Sequence, residues 1–310
     1  MIEPLVSILI PAHNAEKTIS TALHSCLNQT YENIEILVLN NASKDQTQKI
    51  LDGFSDARIQ VFYSDQKGIS KARNFLVSKA QGKYIAWLDA DDIAMPSRME
   101  LQTEFMEAYP EIDVLGTYAN IRGSSSIKKV KWPCGNRALQ AWIGFRNPFI
   151  QSSLMIKKSV QPTYHSDYDY MEDYHWLIEN RTTLELQIIP AYLCSYYQSN
   201  KAIKLKSKQY KQQSKLLSIW NREMSKKGLS ESFECLFRFM RGDVSNNPKQ
   251  VLHEIKTVFE VLQNQEERAI LLYQAFRLLK MSPSLTVFMF CVSNGHLLPK
   301  AMRIRPKYLA

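Results

Sequence analysis

Three carboxylates fall within four positions in the stretch Tyr84-Ile-Ala-Trp-Leu-Asp-Ala-Asp-Asp-Ile-Ala-Met-Pro96: Asp89, Asp91 and Asp92. Like charges this close repel and raise one another's pKa unless a cation neutralises them. Hard carboxylate oxygens suit Mg²⁺ or Mn²⁺. At the carboxyl end of a strand, such a metal can clamp a diphosphate and stabilise it as a leaving group. The bland alternative is a solvated turn whose acids cap the helix that starts near Pro96. Asp-x-Asp alone is common, so the chemistry depends on what positions it.

The elements around it alternate regularly. Leu5–Ile10, Ile34–Leu39, Ile59–Ser64, Tyr84–Leu88 and Val114–Tyr118 are apolar or β-branched runs of strand length. Between them Glu16–Gln29, Asp45–Phe54, Ile69–Ala80 and Pro96–Tyr109 carry helical periodicity. This order predicts an α/β fold with a mostly parallel sheet and helices on both faces. In such a sheet a ligand lies at the carboxyl ends of the strands, where the acidic cluster falls. Beyond residue 120 the pattern loosens. Arg122–Lys131 reads as a loop or hairpin, Ala138–Phe145 as a short helix and Ser152–Ile156 as a strand. Glu172–Asn180 reads as a helix, and Leu186–Ile189 and Ala191–Tyr197 as strands. From Lys201 onward long helical segments take over: Ala202–Lys226, Ser230–Arg241, Pro248–Gln263, Glu266–Lys280 and Pro283–Val292.

Charge divides the chain at the same place. The 310 residues carry a formal net charge of +9, yet residues 201–310 hold 20 Lys/Arg against 8 Asp/Glu. The last third is therefore net +12 and the first two thirds slightly acidic. Five cysteines without paired short spacings argue against a disulfide scaffold and a zinc ribbon. No apolar run approaches the roughly 20 residues of a spanning helix. The first residues lack the basic start and long apolar core of a secretory signal. The expected location is the cytoplasm.

Four segments in order sharpen the reading: Val6-Ser-Ile-Leu-Ile-Pro-Ala-His-Asn14, the stretch from Cys26 to Asp45, Gly68-Ile-Ser-Lys-Ala-Arg-Asn74, and the acidic cluster. Together they resemble the family-2 glycosyltransferases, inverting enzymes with the nucleotide-binding GT-A fold. The resemblance runs from about Val6 to about Tyr197. It implies a GT-A-type catalytic domain over residues 1–200, while the basic, all-helical region expected over 201–310 from its periodicity and charge lies outside the resemblance. It also implies a nucleotide-sugar donor, a UDP-sugar, and a glycan or lipid-linked glycan acceptor. In bacterial relatives this arrangement builds cell-surface polysaccharides. By the same resemblance Pro11, Ala12, His13 and Asn14 line the nucleotide pocket, with Gly68, Arg73, Asn74 and Asp89 contributing. Asn41 stands where an Asp usually reads the uracil ring. An amide can accept from the uracil N3–H and donate to O4.

Inverting transfer needs a carboxylate opposite the leaving nucleotide to take the acceptor's proton. Tyr168-Asp-Tyr-Met-Glu-Asp-Tyr-His-Trp-Leu177 matches the family's acidic pair ahead of a helix. The match implies Asp173 as base with Glu172 beside it. First-turn acids favoured by the helix dipole are the bland alternative, and the two are compatible. Asp167 and Asp169 have no motif support. Gln151 occupies the place of a usual His. The usual Arg-x-His that follows the last strand is replaced by residues ending in Gln198 and Asn200. Three alternatives follow. The metal rests on Asp89, Asp91 and Asp92 with donor phosphates and water; His165 or His175 substitutes; or catalysis is lost and the chain is a nucleotide-binding scaffold. Lys201, Lys204, Lys206, Lys208, Lys211 and Lys215 form a basic run. It fits adhesion to an anionic membrane surface, at about 1 kcal/mol per Lys, or a solvated helical bundle. Nucleic acid is not expected, because no aromatic platform or known binding module accompanies the charge.

Overall fold

The computed structural model describes residues 3–123, 127–143, 147–197, 218–219, 221–222, 225–226, 248–262, 267–268 and 270. The chain divides into two compact units, Met1–Cys134 with Phe149–Ile203, and Gly135–Pro148 with Lys204–Ala310.

In the first unit β1 (Val6–Ala12), β2 (Ile34–Asn41), β3 (Ile59–Ser64) and β4 (Tyr84–Trp87) are joined through helices α1 (Ile19–Leu27), α2 (Thr47–Leu51) and α3 (Ile69–Lys79). Every residue of β1, β2 and β4 is buried. That is the pattern of strands covered on both faces, and it explains their continuous apolar runs. Edge strand β3 is only partly buried. All pairings among these four strands are parallel. Pro11 is tolerated in β1 because the β1–β4 ladder ends at Leu9, two residues earlier.

The other half of the sheet is mixed. It contains β5 (Ile93–Ala94), β6 (Val114–Arg122), β7 (Ile127–Val130), β8 (Met155–Lys157) and β9 (Leu186–Tyr197). The strand order is β3-β2-β1-β4-β8-β6-β9-β5, with β7 paired to β6. Parallel geometry therefore covers the first four strands and the β6–β9 pair, and the remaining pairs are antiparallel. The expectation of a mostly parallel sheet holds where crossover helices exist and fails where hairpins and short turns replace them. The two strands expected over 186–197 are one. Pro190, which has no N–H to donate, is accommodated by register shifts around Tyr118. Within the stretch expected as a loop or hairpin, β7 pairs antiparallel with the end of β6. β5 was not legible in the sequence because two residues carry no periodicity.

One buried cation holds these strand ends in place. Arg98, on helix α4 (Arg98–Ala108), is fully buried. Its Nη1 donates to the Trp87 carbonyl at 3.0 Å and its Nη2 to the Leu154 carbonyl at 3.0 Å. Its Nε donates to Gln102 Oε1, and Gln102 Nε2 reaches the Leu115 and Ser153 carbonyls. The ends of β4, β6 and the turn before β8 are thus tied under the acidic loop. Helix α6 (Glu172–Asn180) completes the frame, within the bounds the sequence predicts.

In the second unit the described helices include α5 (Asn136–Ile143) and α7 (Pro248–Val261). Helix α7 buries Val251, Leu252, Ile255, Val258 and Phe259, a stripe one helical face wide. The helices expected over 230–241 and 283–292, and the basic run from Lys201 to Lys215, lie outside the described residues. So do Gln198 and Asn200. Among the described residues no helix is long and apolar enough to cross a membrane.

Candidate functional site

The carboxyl ends of β1 and β2 form a crevice whose polar groups are paired almost completely. Pro11 and Ala12 are buried in the strand itself. His13 Nδ1 donates to the Asn41 carbonyl at 2.7 Å, which leaves Nε2 to accept from Asn14 Nδ2 at 3.2 Å. Asn14 takes a left-handed backbone conformation (φ 51°), as Asn tolerates better than most residues. Its backbone N–H donates to Ser43 Oγ and its Oδ1 accepts from the Lys44 N–H. Asn40 is closed off by Gln48 and by the Ser43 N–H. Asn41 Nδ2 donates to the Gly68 carbonyl at 3.0 Å, while its Oδ1 is buried without a partner. A buried acceptor left bare costs free energy unless a ligand donor meets it.

Gly68 opens helix α3 at φ 154°, a conformation that side-chain-bearing residues rarely adopt. One turn on, Arg73 is buried and organises the site. Its Nη2 donates to Asp89 Oδ1 at 3.0 Å, and its Nε donates to Glu172 Oε1 at 2.9 Å. Its guanidinium sits 4.9 Å from the Trp87 ring centre, a cation–π contact with a β4 side chain. Asp173 adds its charge to the same field. One cation thus faces three carboxylates. The result is over-acidic, and burial with too little neutralisation pushes Glu172 up to about 7. Burial raises Asp173 as well, although part of its surface remains accessible.

Asn74, expected on the nucleotide, instead spends both ends of its amide on Tyr164. Its Nδ2 donates to the Tyr164 carbonyl and its Oδ1 accepts from the Tyr164 N–H, each at 2.8 Å. Asp169 accepts from the Ser70 N–H and hydroxyl, capping the start of α3 from a distant segment. Helix α3 and the chain leading into α6 are therefore joined at three points, through Ser70, Arg73 and Asn74. Tyr170 completes that entry in a left-handed conformation (φ 73°), a strained choice for an aromatic residue.

In the acidic loop Asp89 is turned toward Arg73, and its N–H donates to Ser152 Oγ at 2.9 Å. Asp92 is buried, and its Oδ1 accepts from the Tyr197 N–H at 2.7 Å while Oδ2 has no partner. Burial, then repulsion from Asp89, raises Asp91 to about 6. Burial, then Asp89 and Asp91, puts Asp92 well above the ordinary carboxylate range. Among the described residues no group of three or more His, Cys, Asp and Glu is arranged to hold a metal. The donor chemistry nevertheless fits a hard cation, with two carboxyl groups raised by burial and then by mutual repulsion, and one bare buried oxygen.

The histidines weighed as substitute ligands pack on aromatic rings. His175 stacks on Tyr168 with ring centres 3.7 Å apart, and His165 packs edge-on against it at 5.4 Å. Gln151, in the place of a family His, is buried and reaches the Tyr164 hydroxyl at 3.4 Å. Two residues escaped the sequence reading. Ser152 links its own turn to the acidic loop. Tyr196 sets its phenol in the field of Asp89, Asp91, Asp92 and Asp173. The alternation of β9 could have flagged Tyr196, since Cys194 and Tyr196 share a face.

Residues 7–161 match the family model described as Glycosyl transferase family 2. A relative from Haemophilus influenzae, described as an uncharacterized glycosyltransferase, is 33% identical over 193 residues, covering 57% of this chain and 60% of the relative. The Escherichia coli UDP-Glc:alpha-D-GlcNAc-diphosphoundecaprenol beta-1,3-glucosyltransferase WfgD is 40% identical over 131 residues, covering 42% of this chain and 51% of that protein. The chain thus spans 60% or less of the length of these curated relatives. Among solved structures, S. aureus TarS residues 1–349 in complex with UDP-GlcNAc superposes with a TM-score of 0.61 at 14% identity, over 89% of this chain and 88% of that one. That likeness establishes the fold, the GT-A-type α/β sheet expected from the motifs. With the family model spanning half of the sequence, the chain belongs to glycosyl transferase family 2.

Proposed function

We propose that the chain transfers a sugar from a nucleotide-sugar donor, a UDP-sugar, to a hydroxyl of a glycan or lipid-linked glycan, with inversion, in the synthesis of a bacterial cell-surface polysaccharide. The observation that carries this reading is the ion bridge through Arg73, which joins Asp89 of the acidic loop to Glu172 beside Asp173. A transferase needs these two chemistries, leaving-group stabilisation and proton removal, on opposite sides of one reacting carbon. The printed substrates of WfgD and the bound UDP-GlcNAc of TarS support the donor and acceptor classes.

In this reading the bare Asn41 Oδ1 accepts the N3–H of a uracil ring, with His13, Asn14 and Gly68 shaping the crevice around it. Asp173 takes the proton of the acceptor hydroxyl as the acceptor oxygen bonds to the anomeric carbon. The bond from that carbon to the diphosphate breaks, and its electron pair leaves with the nucleotide. A base raised above the ordinary carboxylate range is better matched to this task, provided it is ionised at the working pH. Glu172 holds Arg73, and Arg73 fixes the direction of Asp89. Asp91 and Asp92, with Asp89, would hold Mg²⁺ or Mn²⁺, completed by donor phosphates and water. The metal would supply neutralisation of charge on the departing diphosphate. A rise in melting temperature with Mn²⁺ that disappears in Asp92→Asn is the expected sign of this binding.

The decisive experiment is Asp173→Asn. Transfer is expected to fall by roughly 10²–10⁴-fold while donor affinity, read by thermal shift, stays near that of the parent. Full activity in this variant removes the assignment. For the net +12 of the last third we propose peripheral adhesion to an anionic membrane on its cytoplasmic face. Failure to float with anionic liposomes at low salt removes that part.

A further inference from the structure

The β6–β7–β9 surface carries a cation that the site described above does not use. Arg122 Nε is buried without a hydrogen-bond partner, and the guanidinium makes no ion pair among the described residues. It lies 6.0 Å from the Tyr197 ring centre. Arg122 pairs with Tyr197 across the β6–β9 ladder, and Asn120 pairs with Lys129 across the hairpin. Directly paired residues share a face of a sheet, as do positions two apart. Arg122, Lys129, Tyr118, Tyr192 and Tyr197 therefore lie on one face. Lys129 Nζ is 5.1 Å from the Tyr192 ring centre, and Tyr192 packs on Tyr118 with centres 5.5 Å apart.

This face is joined directly to the chemistry. The Tyr197 N–H donates to Asp92 Oδ1, and Arg122 lies within the electrostatic reach of Asp91 without forming an ion pair with it. A half-buried guanidinium without an anion is costly to keep, and its planar fork matches the paired oxygens of a phosphate. Sheet order indicates which substrate brings that phosphate. The crevice of Asn41 and His13 lies at β1 and β2, the acidic loop leaves from β4, and Arg122 lies beyond β8 on β6. A nucleotide in the crevice is thus on the opposite side of the acidic loop from Arg122.

We propose that Arg122, assisted by Lys129, forms an oxyanion subsite for a phosphate or diphosphate carried by the acceptor, with Tyr192 and Tyr197 as its apolar walls. The inference rests on the transferase reading and deepens it, since the acceptor is then a phosphate-bearing glycan carrier rather than a neutral sugar.

The test uses the full chain, a short-prenyl diphosphate-linked N-acetylhexosamine, and the octyl glycoside of the same sugar. Calorimetry without donor reads binding independently of transfer. Arg122→Gln is expected to weaken binding of the diphosphate compound about tenfold more than that of the octyl glycoside, with Arg122→Lys recovering part of the loss. Lys129→Gln, at an exposed position, should show a smaller loss of the same selectivity. In the parent, inorganic pyrophosphate should displace the diphosphate compound. Equal losses on both acceptors, a larger effect on donor affinity than on acceptor affinity, or no effect in any variant overturns the subsite. A parent chain that binds the diphosphate compound selectively yet turns over no nucleotide sugar overturns the transferase reading and leaves the subsite standing.

Discussion

The two halves of the sheet differ in how fully their polar groups are matched. On the β1–β2–α3 side most of the amides, hydroxyls and carboxylates described above have partners, and Asn41 Oδ1, Arg73 Nη1 and, from α6, Glu172 Oε2 are buried exceptions. On the β6–β9 side the ladder shifts register, β7 is largely exposed, and Arg122 makes no ion pair among the described residues. A matched network is rigid, and rigidity would suit the nucleotide pocket proposed above. A looser, cationic face suits a substrate that must arrive, turn and leave. The difference teaches where specificity is built in and where it is left to the ligand.

The sharpest way to break this comparison is Arg73→Met. Removing the shared cation leaves buried Glu172 and half-buried Asp89 uncompensated, and unfolding free energy should fall by about 3–5 kcal/mol, read by denaturant titration. A loss below about 1 kcal/mol would mean that the network is no stronger than a surface pair. Next comes Asn41→Leu, which abandons the Gly68 carbonyl and removes the bare acceptor. Donor affinity should drop about tenfold, equivalent to about 1.4 kcal/mol, with a smaller change in acceptor KM. An equal rise in both would erase the distinction between the two sides.

The pH dependence of stability tests the over-acidic field. Glu172 is raised to about 7 in the folded chain, so the folded state holds a proton that the unfolded state releases near pH 4.3. The unfolded chain therefore binds fewer protons in that window, and stability should decline as pH rises from about 4.3 to about 7. Its contribution is fully present below that range. Glu172→Gln should flatten the decline, and an unchanged slope would assign it to other groups. The smallest expected effect lies on the loose side. Lys129→Gln should change stability by no more than about 0.5 kcal/mol, and a larger loss would show that the hairpin is as tightly matched as the crevice.

Much of the fold was legible because it rests on local patterns. Continuous apolar runs identified β1, β2 and β4, and helical periodicity with Glu172 and Asp173 at its start placed α6. The acidic loop was legible from composition alone. Three things were not. Asn74 belongs by motif to the nucleotide pocket, but its amide pairs with the Tyr164 backbone, a partner that no motif names. Asp169 has no motif support, yet it accepts from the Ser70 N–H, 99 positions earlier in the first turn of α3. Arg98 stands out by no motif, yet it is fully buried and bonded to the Trp87 and Leu154 carbonyls.

Local patterns alone set which residue types lie at which strand ends, because strand and helix periods are short-range and follow side-chain burial. The amino-acid sequence also sets the charge division near residue 200. Only the tertiary structure decided that one guanidinium joins Asp89 to Glu172, partners 16 and 99 positions from Arg73. It likewise decided that Arg122 makes no ion pair among the described residues. Pairing between distant charges depends on which groups burial brings within a few ångströms of each other, and the crossover of the chain sets that distance.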